Sequence, residues 1–351
     1  MIKLLVAMKI SLTKNTKVYV VAPAGAVTGG PEDLYELAYS LRELYPGIRV
    51  YMYYIARAGV TNPVAPEYEH FGIERAESIE DSEENVLILP EYYANALGEL
   101  TRIRKAIWWL GVDGYYTSPS LSKNKRWLNS MLLRRFGIQH FFFFEKELLK
   151  TKWNFVQNRR FYDHLKRKGM SNIFYLIDHV NPIFTNYEID ESIKEDIVLY
   201  NPVKGYRFTK RLIAASPDIT FMSTSTIPRM SEDEKIALMK RAKVYIDFGN
   251  HPGGDRFPKE TALMGCCVIT GRGGTANYFD DVPIPPDYKF SERLFMFFIN
   301  PLTIYRVRRK IKECFANYHN EARRFIPFRE RARVDRKTHL SDIKYIFSYE
   351  Q

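Results

Sequence analysis

Short, nearly unbroken apolar runs recur along this chain, with amphipathic stretches between them. Residues 17–22 (KVYVVA), 49–55 (RVYMYYI), 86–90 (VLILP) and 105–112 (KAIWWLGV) are the first four. Runs this short and this apolar fit strands buried on both faces, as in a parallel sheet covered by helices. Between the first two, Leu34, Leu37, Ala38, Leu41 and Leu44 fall on one helical face. Pro31 is tolerated in that helix's first turn, and Glu32 and Asp33 suit its positive end. Residues 118–129 then read as a loop, 141–144 as a strand, 154–169 as a helix and 173–177 as a short strand. Asn181-Pro182 breaks the pattern, and an acidic segment follows (Glu188, Asp190, Glu191, Glu195, Asp196). The alternation restarts beyond it. Strands are predicted over 197–200, 219–223, 244–248 and 268–270, and helices over 208–215, 232–242 and 259–264. Two such series in tandem predict an α/β chain of two Rossmann-like, doubly wound domains.

Length agrees: 351 residues is room for about two domains at ~150 residues each. With 46% apolar and 26% charged residues, a disordered or fibrous chain is excluded. The net charge of +11 leaves three partner classes open: nucleic acid, an anionic membrane face, or phosphate-bearing substrates. Much of that charge sits past residue 291, in a stretch read as helical (Arg306, Arg308, Arg309, Lys310, Lys312, Arg323, Arg324). The three cysteines, Cys266 and Cys267 adjacent among them, make neither a disulfide framework nor a cysteine zinc site. Cys266 and Cys267 read as buried small residues, and the cysteine usage as that of a reducing compartment. No apolar run approaches the ~18 residues of a membrane-spanning helix. The stretch 1–8, interrupted by Lys3, is too short for a secretory signal, so a cytoplasmic protein is expected.

Five segments follow predicted strands and carry side chains or glycines suited to chemistry. Thr28-Gly29-Gly30 precedes the first helix and reads as a ligand-facing loop or a tight turn. It lacks the third glycine of a dinucleotide fingerprint and the Lys-Ser/Thr pair of a P-loop. Glu91 and Asp113 each place a carboxylate at a strand's carboxyl end, where it can take a proton from a substrate hydroxyl or cap a helix. Beside Asp113, Trp108 and Trp109 suit sugar rings or core packing. Lys204-Gly205 puts a lysine where it reaches a phosphate over the strand ends.

The fifth segment says most. His251, Gly253, Gly254, Asp255 and Arg256 form a loop that opens a helix bearing Glu260, and a further glycine loop, Gly273-Gly274-Thr275, follows the next strand. Arg256 and the helix N-terminus suit a diphosphate, and Glu260 suits ribose hydroxyls. With no HxH or HExxH pattern, no metal site is expected.

Glu260 to Ile269 resembles the donor-site helix and strand of the large retaining group of GT-B nucleotide-sugar glycosyltransferases. Lys204-Gly205 looks like that class's strand-end lysine, which contacts the donor diphosphate, and Gly273-Gly274 like its last phosphate-facing loop. The resemblance implies an acceptor-side domain over 1–181 and a nucleotide-sugar domain over 182–300. It also implies C-terminal helices, 301–351, returning to the first domain. The donor would be a UDP- or GDP-sugar, the acceptor a glycan or lipid-linked hydroxyl, and no cofactor would be needed. Two positions depart from the group. Pro252 stands where it usually has a second glutamate, and Asn277 where its phosphate loop ends in one. Retention of configuration is therefore not carried over, and an inverting reaction with Asp113 or Glu91 as base is equally admissible. Two competing readings are a sugar-nucleotide epimerase or hydrolase on this fold, and a non-enzymatic protein binding nucleic acid or an anionic surface. On the transferase reading no nucleic-acid partner is expected, and the basic helices offer peripheral contact with an anionic membrane.

Overall fold

The computed structural model describes residues 8–350 except 98–99, 120, 137–147, 149–150, 203, 225–230, 252, 255 and 296–297. The strand expected over 141–144 lies outside the described residues. The chain divides into two compact units, residues 1–178 with 337–351, and residues 179–336.

The first unit runs β1 (Ile10–Leu12), β2 (Lys17–Pro23), α1 (Gly29–Leu44), β3 (Arg49–Ile55), β4 (Glu74–Arg75), β5 (Val86–Pro90) and β6 (Arg104–Trp109). It continues through α2 (Val112–Thr117), α3 (Lys123–Phe136), β7 (Trp153–Val156), α4 (Arg159–Arg167) and β8 (Ile173–Tyr175). Seven parallel strands pair in the order β4-β3-β2-β5-β6-β7-β8. Because side chains alternate along a strand, Val18, Val20 and Ala22 join one buried cluster with α1, while Tyr19 and Val21 join another with α2 and α4. Both faces are covered, which is why the runs read as continuously apolar.

Three local expectations are corrected. Residues 123–136 form a helix where 118–129 was read as a loop. Lys, Arg, Leu and Met are good helix formers and Leu128, Met131 and Leu132 stand at helical spacing, but the polar and basic residues around them read as a loop, and Trp127 is 68% exposed. Residues 153–156 are a strand, so the helix expected from 154 starts only at Arg159, with Asn158 as its cap. Val112 belongs to α2 rather than to β6, because Gly111 ends the strand and caps the helix.

The second unit holds β9 (Glu195–Tyr200), α5 (Tyr206–Ala214), β10 (Thr220–Ser223), α6 (Glu232–Arg241), β11 (Ala242–Asp247), α7 (Arg256–Leu263) and β12 (Cys267–Thr270). Its four parallel strands pair as β10-β9-β11-β12. A hairpin of β13 (Arg293–Phe295) and β14 (Phe298–Ile299) precedes α8 (Pro301–Ala316), so the helical stretch expected from 291 begins ten residues later. Then come α9 (Tyr318–Arg323), α10 (Ile326–Ile346) and β15 (Phe347–Tyr349). The segment 301–351 divides between the units. Val307, Ile311 and Cys314 are apolar at helical spacing and sink into the second unit's core, whereas Ile343, Ile346 and Phe347 join the first unit's. All three cysteines are buried and free.

Candidate functional site

In each sheet the strand order reverses once, and ligands of open α/β sheets bind outside the carboxyl ends of the strands at such a point. In the second unit it lies between β9 and β11. Lys204-Gly205 follows β9, residues 249–254 follow β11, and residues 271–275 follow β12. The three loops meet backbone to backbone. Gly205, at φ +61°, starts α5 so close to the neighbouring loop that a Cβ would stand 2.6 Å from the Gly249 nitrogen. A Cβ on Gly273 would stand 2.8 Å from the Gly249 carbonyl oxygen.

Asp247 anchors this arrangement from below. Its buried carboxylate accepts the Gly249 N–H at 3.0 Å and the Tyr245 hydroxyl at 2.9 Å, and its carbonyl accepts the Gly271 N–H at 2.9 Å. The His251 ring is fully buried, with Nε2 3.5 Å from the Asp247 carboxylate. Its carbonyl accepts the Thr275 N–H at 3.0 Å, while the Thr275 hydroxyl reaches the Gly253 carbonyl at 3.1 Å. His251 and Thr275 therefore tie the second and third loops together. Gly254 is half-buried beside them, and Asp255 lies outside the described residues.

Helix α7 rises from the second loop. Arg256 opens it and Glu260 follows one turn later on the same face, both half-buried. The far end is fixed by cations, as the negative pole of a helix requires. Lys194 donates to the Met264 carbonyl at 2.6 Å and Arg329 to the Ala262 carbonyl at 2.8 Å. Burial holds the Lys194 ammonium below its ordinary pKa. Lys259, beside Glu260, pairs with the buried Asp335 at 2.7 Å. The site thus presents glycine amides, a helix N-terminus, a lysine and an arginine at one edge, with a carboxylate one helical turn behind. That set can hold a doubly charged phosphate ester next to a diol. Reading by motif passed over Arg272, which is exposed in the third loop, and the buried Lys289, whose pKa desolvation and the Arg272 charge lower to about 8. Arg272 stands beside the glycines and was legible there; Lys289 was not.

In the first unit the order reverses between β2 and β5. Thr28 caps α1 and Gly29 and Gly30 open it rather than precede it; Thr28 and Gly29 are exposed, and Gly30 sits half-buried with Leu110 beside it. Glu91 follows β5 and is 4% exposed. It accepts the Leu110 and Gly111 N–H groups at 3.0 and 3.1 Å, yet burial still pushes its carboxyl up to about 8. Asp113, in the first turn of α2, is the more accessible of the two carboxyls and accepts Arg160 Nη2 at 3.0 Å. Trp108 and Trp109 are fully buried on opposite faces of the sheet, which makes them core rather than sugar platforms. Among the described residues, no three His, Cys, Asp or Glu side chains gather as a metal-binding set.

No family model and no curated protein matches this sequence. Solved structures do. A mutant O-GlcNAc transferase from Thermobaculum terrenum aligns over 96% of this chain and 66% of its own, at 8% identity and a TM-score of 0.54. Trehalose 6-phosphate synthase from Burkholderia multivorans aligns over 95% and 97%, at 10% identity and 0.51. Sucrose-phosphate synthase from Thermosynechococcus elongatus aligns over 95% of both chains, at 12% identity and 0.50. The fold is GT-B. Against TarM this chain spans about half the other's length, 53%. The tandem alternation implied two Rossmann-like units, and GT-B architecture is what the resemblance of residues 260–269 implied. The GT-B pattern's last loop closes here on Asn277, exposed at the end of a 3-10 turn, where a glutamate was to be looked for.

Proposed function

We propose that this chain is a glycosyltransferase moving a sugar from a UDP- or GDP-sugar to a hydroxyl of a glycan or lipid-linked acceptor, without a metal ion. The observation that carries the reading is the convergence of three glycine loops with Lys204, Arg256 and the N-terminus of α7 at the second unit's switch point. Loss of a nucleoside diphosphate builds negative charge on the leaving oxygen. Fixed amides and two cations stabilise that charge without reorganising as it forms. Glu260 holds the ribose. The neighbours' names, an O-GlcNAc transferase and two synthases of sugar phosphates, support the same class.

The first unit is assigned the acceptor. Asp113 receives or orients the acceptor proton, and Arg160 fixes its direction. Glu91 is protonated at neutral pH and enclosed, so its part is to hold the Leu110–Gly111 backbone rather than to act as base.

The C-terminal basic residues speak against a nucleic-acid binder, because many are already engaged. Arg308 and Lys312 pair with Asp218, and Lys310 and Arg324 with Asp287. Exposed Leu302, Tyr305, Arg306 and Arg309 fall on one face of α8 and are assigned the peripheral membrane contact. Among the described residues no helix is long and apolar enough to cross a membrane.

The deciding experiment is release of nucleoside diphosphate from a panel of UDP- and GDP-sugars, with and without oligosaccharide or lipid-linked acceptors. Acceptor-dependent release supports transfer. Equal turnover without acceptor would replace it with a hydrolase or epimerase.

A further inference from the structure

The first unit's sheet ends in two margins of opposite charge. At one end lies β4, and the segment 67–84 around it holds eight acids against one arginine, in a chain whose net charge is +11. Glu67 and Glu69, in the 3-10 helix that leads into β4, and Glu74, in β4 itself, are exposed, and none forms an ion pair among the described residues. Charge on an edge strand keeps it from pairing with stray strands. That purpose needs Glu74 alone, whereas Glu67 and Glu69 lie outside the strand.

At the other end lies β8. Helix α4 precedes it, and the Tyr162 and Tyr175 rings stack at 5.5 Å, with the Lys166 ammonium 5.6 Å from the Tyr162 ring. On the strand's other face α10 packs through Tyr345, 6.3 Å from Phe174, and Lys9 stands 5.8 Å from the Tyr345 ring. Lys9, Lys166, Arg167 and Lys344 are exposed, and none forms an ion pair among the described residues. The carboxylates close by are engaged, Asp163 by Arg159 at 2.9 Å and Asp342 by the Ile177 N–H at 3.2 Å.

We infer that this chain binds a second copy of itself head to tail, the β4 margin of one copy docking on the β8 margin of the next. Complementary charge selects the occupant, because the counter-charges each margin lacks stand on the other margin of the same molecule. Six inter-strand steps of ~4.8 Å, about 29 Å in all, keep the two apart within one copy. Tyr175 and Tyr345, 39% and 59% exposed, add aromatic contact area at the basic margin. The two surfaces differ, so every pair leaves one margin of each kind open, and assembly continues past the dimer. The inference is independent of what the second unit binds.

The test is sedimentation velocity of the full chain over a concentration series at about 50 mM and about 500 mM salt, with melting temperatures checking the fold of each variant. A net charge of +11 drives copies apart, so an attraction that grows as salt falls is local. The parent should form species larger than a dimer at low salt and return toward monomer at high salt. The triple replacements Glu67→Lys, Glu69→Lys, Glu74→Lys and Lys166→Glu, Arg167→Glu, Lys344→Glu should each weaken association at least tenfold. An equal mixture of the two should restore it, since each reversed margin then meets its complement. A parent that stays monomeric at low salt, a complex that stops at two copies, association indifferent to salt, or a mixture that stays apart would overturn the inference. So would a parent that does not self-associate but binds an oligonucleotide or a phosphatidylserine vesicle through Lys166, Arg167 and Lys344, which would give the β8 margin to that partner.

Discussion

Gly205 and Gly249 approach so closely across the second unit's switch point that a methyl group on Gly205 would stand 2.6 Å from the Gly249 nitrogen. Lys204 is the residue next to this contact, so its position depends on both glycines. Gly205→Ala would add a left-handed strain to a collision with backbone. It should weaken nucleoside diphosphate binding at least tenfold by calorimetry. Gly169, at φ +85° with nothing within 4 Å of its would-be Cβ, is the control. Gly169→Ala should cost about 1 kcal/mol and leave nucleotide affinity alone.

Glu91 should make the protein less stable as pH rises. Its folded pKa of about 8 lies above the ordinary 4.5, so between those values the native state holds a proton the unfolded chain has lost. Stability therefore falls by roughly 1.4 kcal/mol per pH unit across that window and levels above it. Denaturation midpoints from pH 5 to 9 should show this slope, and Glu91→Gln should lack that component whatever its offset. Equal slopes in the two proteins would remove the buried, protonated carboxyl from the account.

The Lys259–Asp335 pair holds α7 from the side, with the Asp335 side chain only 4% exposed. Asp335→Ala withdraws the carboxylate from a largely buried ammonium and should cost about 3 kcal/mol by urea denaturation. Because Glu260 is the next residue, nucleotide affinity should fall as well. An unchanged midpoint would mean that α7 is held by its C-terminal cations alone.

The glycine-lined edge of the second unit's sheet was legible because glycine advertises itself. Only backbone needing a positive φ or a close approach asks for Gly205, Gly249, Gly273 and Gly274 at strand ends. The first unit's polar edge was not. Asp113 and Arg160 are 47 residues apart, and Asp33 and Gln157 are 124 apart. Periodicity cannot pair residues at such distances. Reading 154–169 as one helix also hid the strand that carries Gln157 and Asn158 to the edge. A strand-end glutamate looks the same whether it is solvated or enclosed, so the sequence leaves Glu91 open as a base or as a cap. Helix α3 was missed for another reason, since the polar and basic residues around Leu128, Met131 and Leu132 hide their helical spacing.

On α8, Arg306 and Arg309 are exposed while Arg308 is paired with Asp218. Replacing Arg306 and Arg309 by glutamate should reduce binding to phosphatidylserine vesicles several-fold at low salt, with the difference shrinking at 0.5 M salt. Nucleotide affinity should stay within twofold. Vesicle binding untouched by the double replacement would place any membrane contact elsewhere.

The most direct measurement of the central claim is a thermal-shift titration with UDP, GDP and ADP, with and without EDTA, on the parent protein and on Lys204→Ala, Arg256→Ala and Glu260→Ala. A ligand of the native state raises the melting temperature once its concentration passes its dissociation constant. The account expects one nucleotide to raise it equally with and without EDTA, and each substitution to shrink the shift. No shift with any nucleotide, or shifts that survive all three substitutions, would contradict a donor site at this edge.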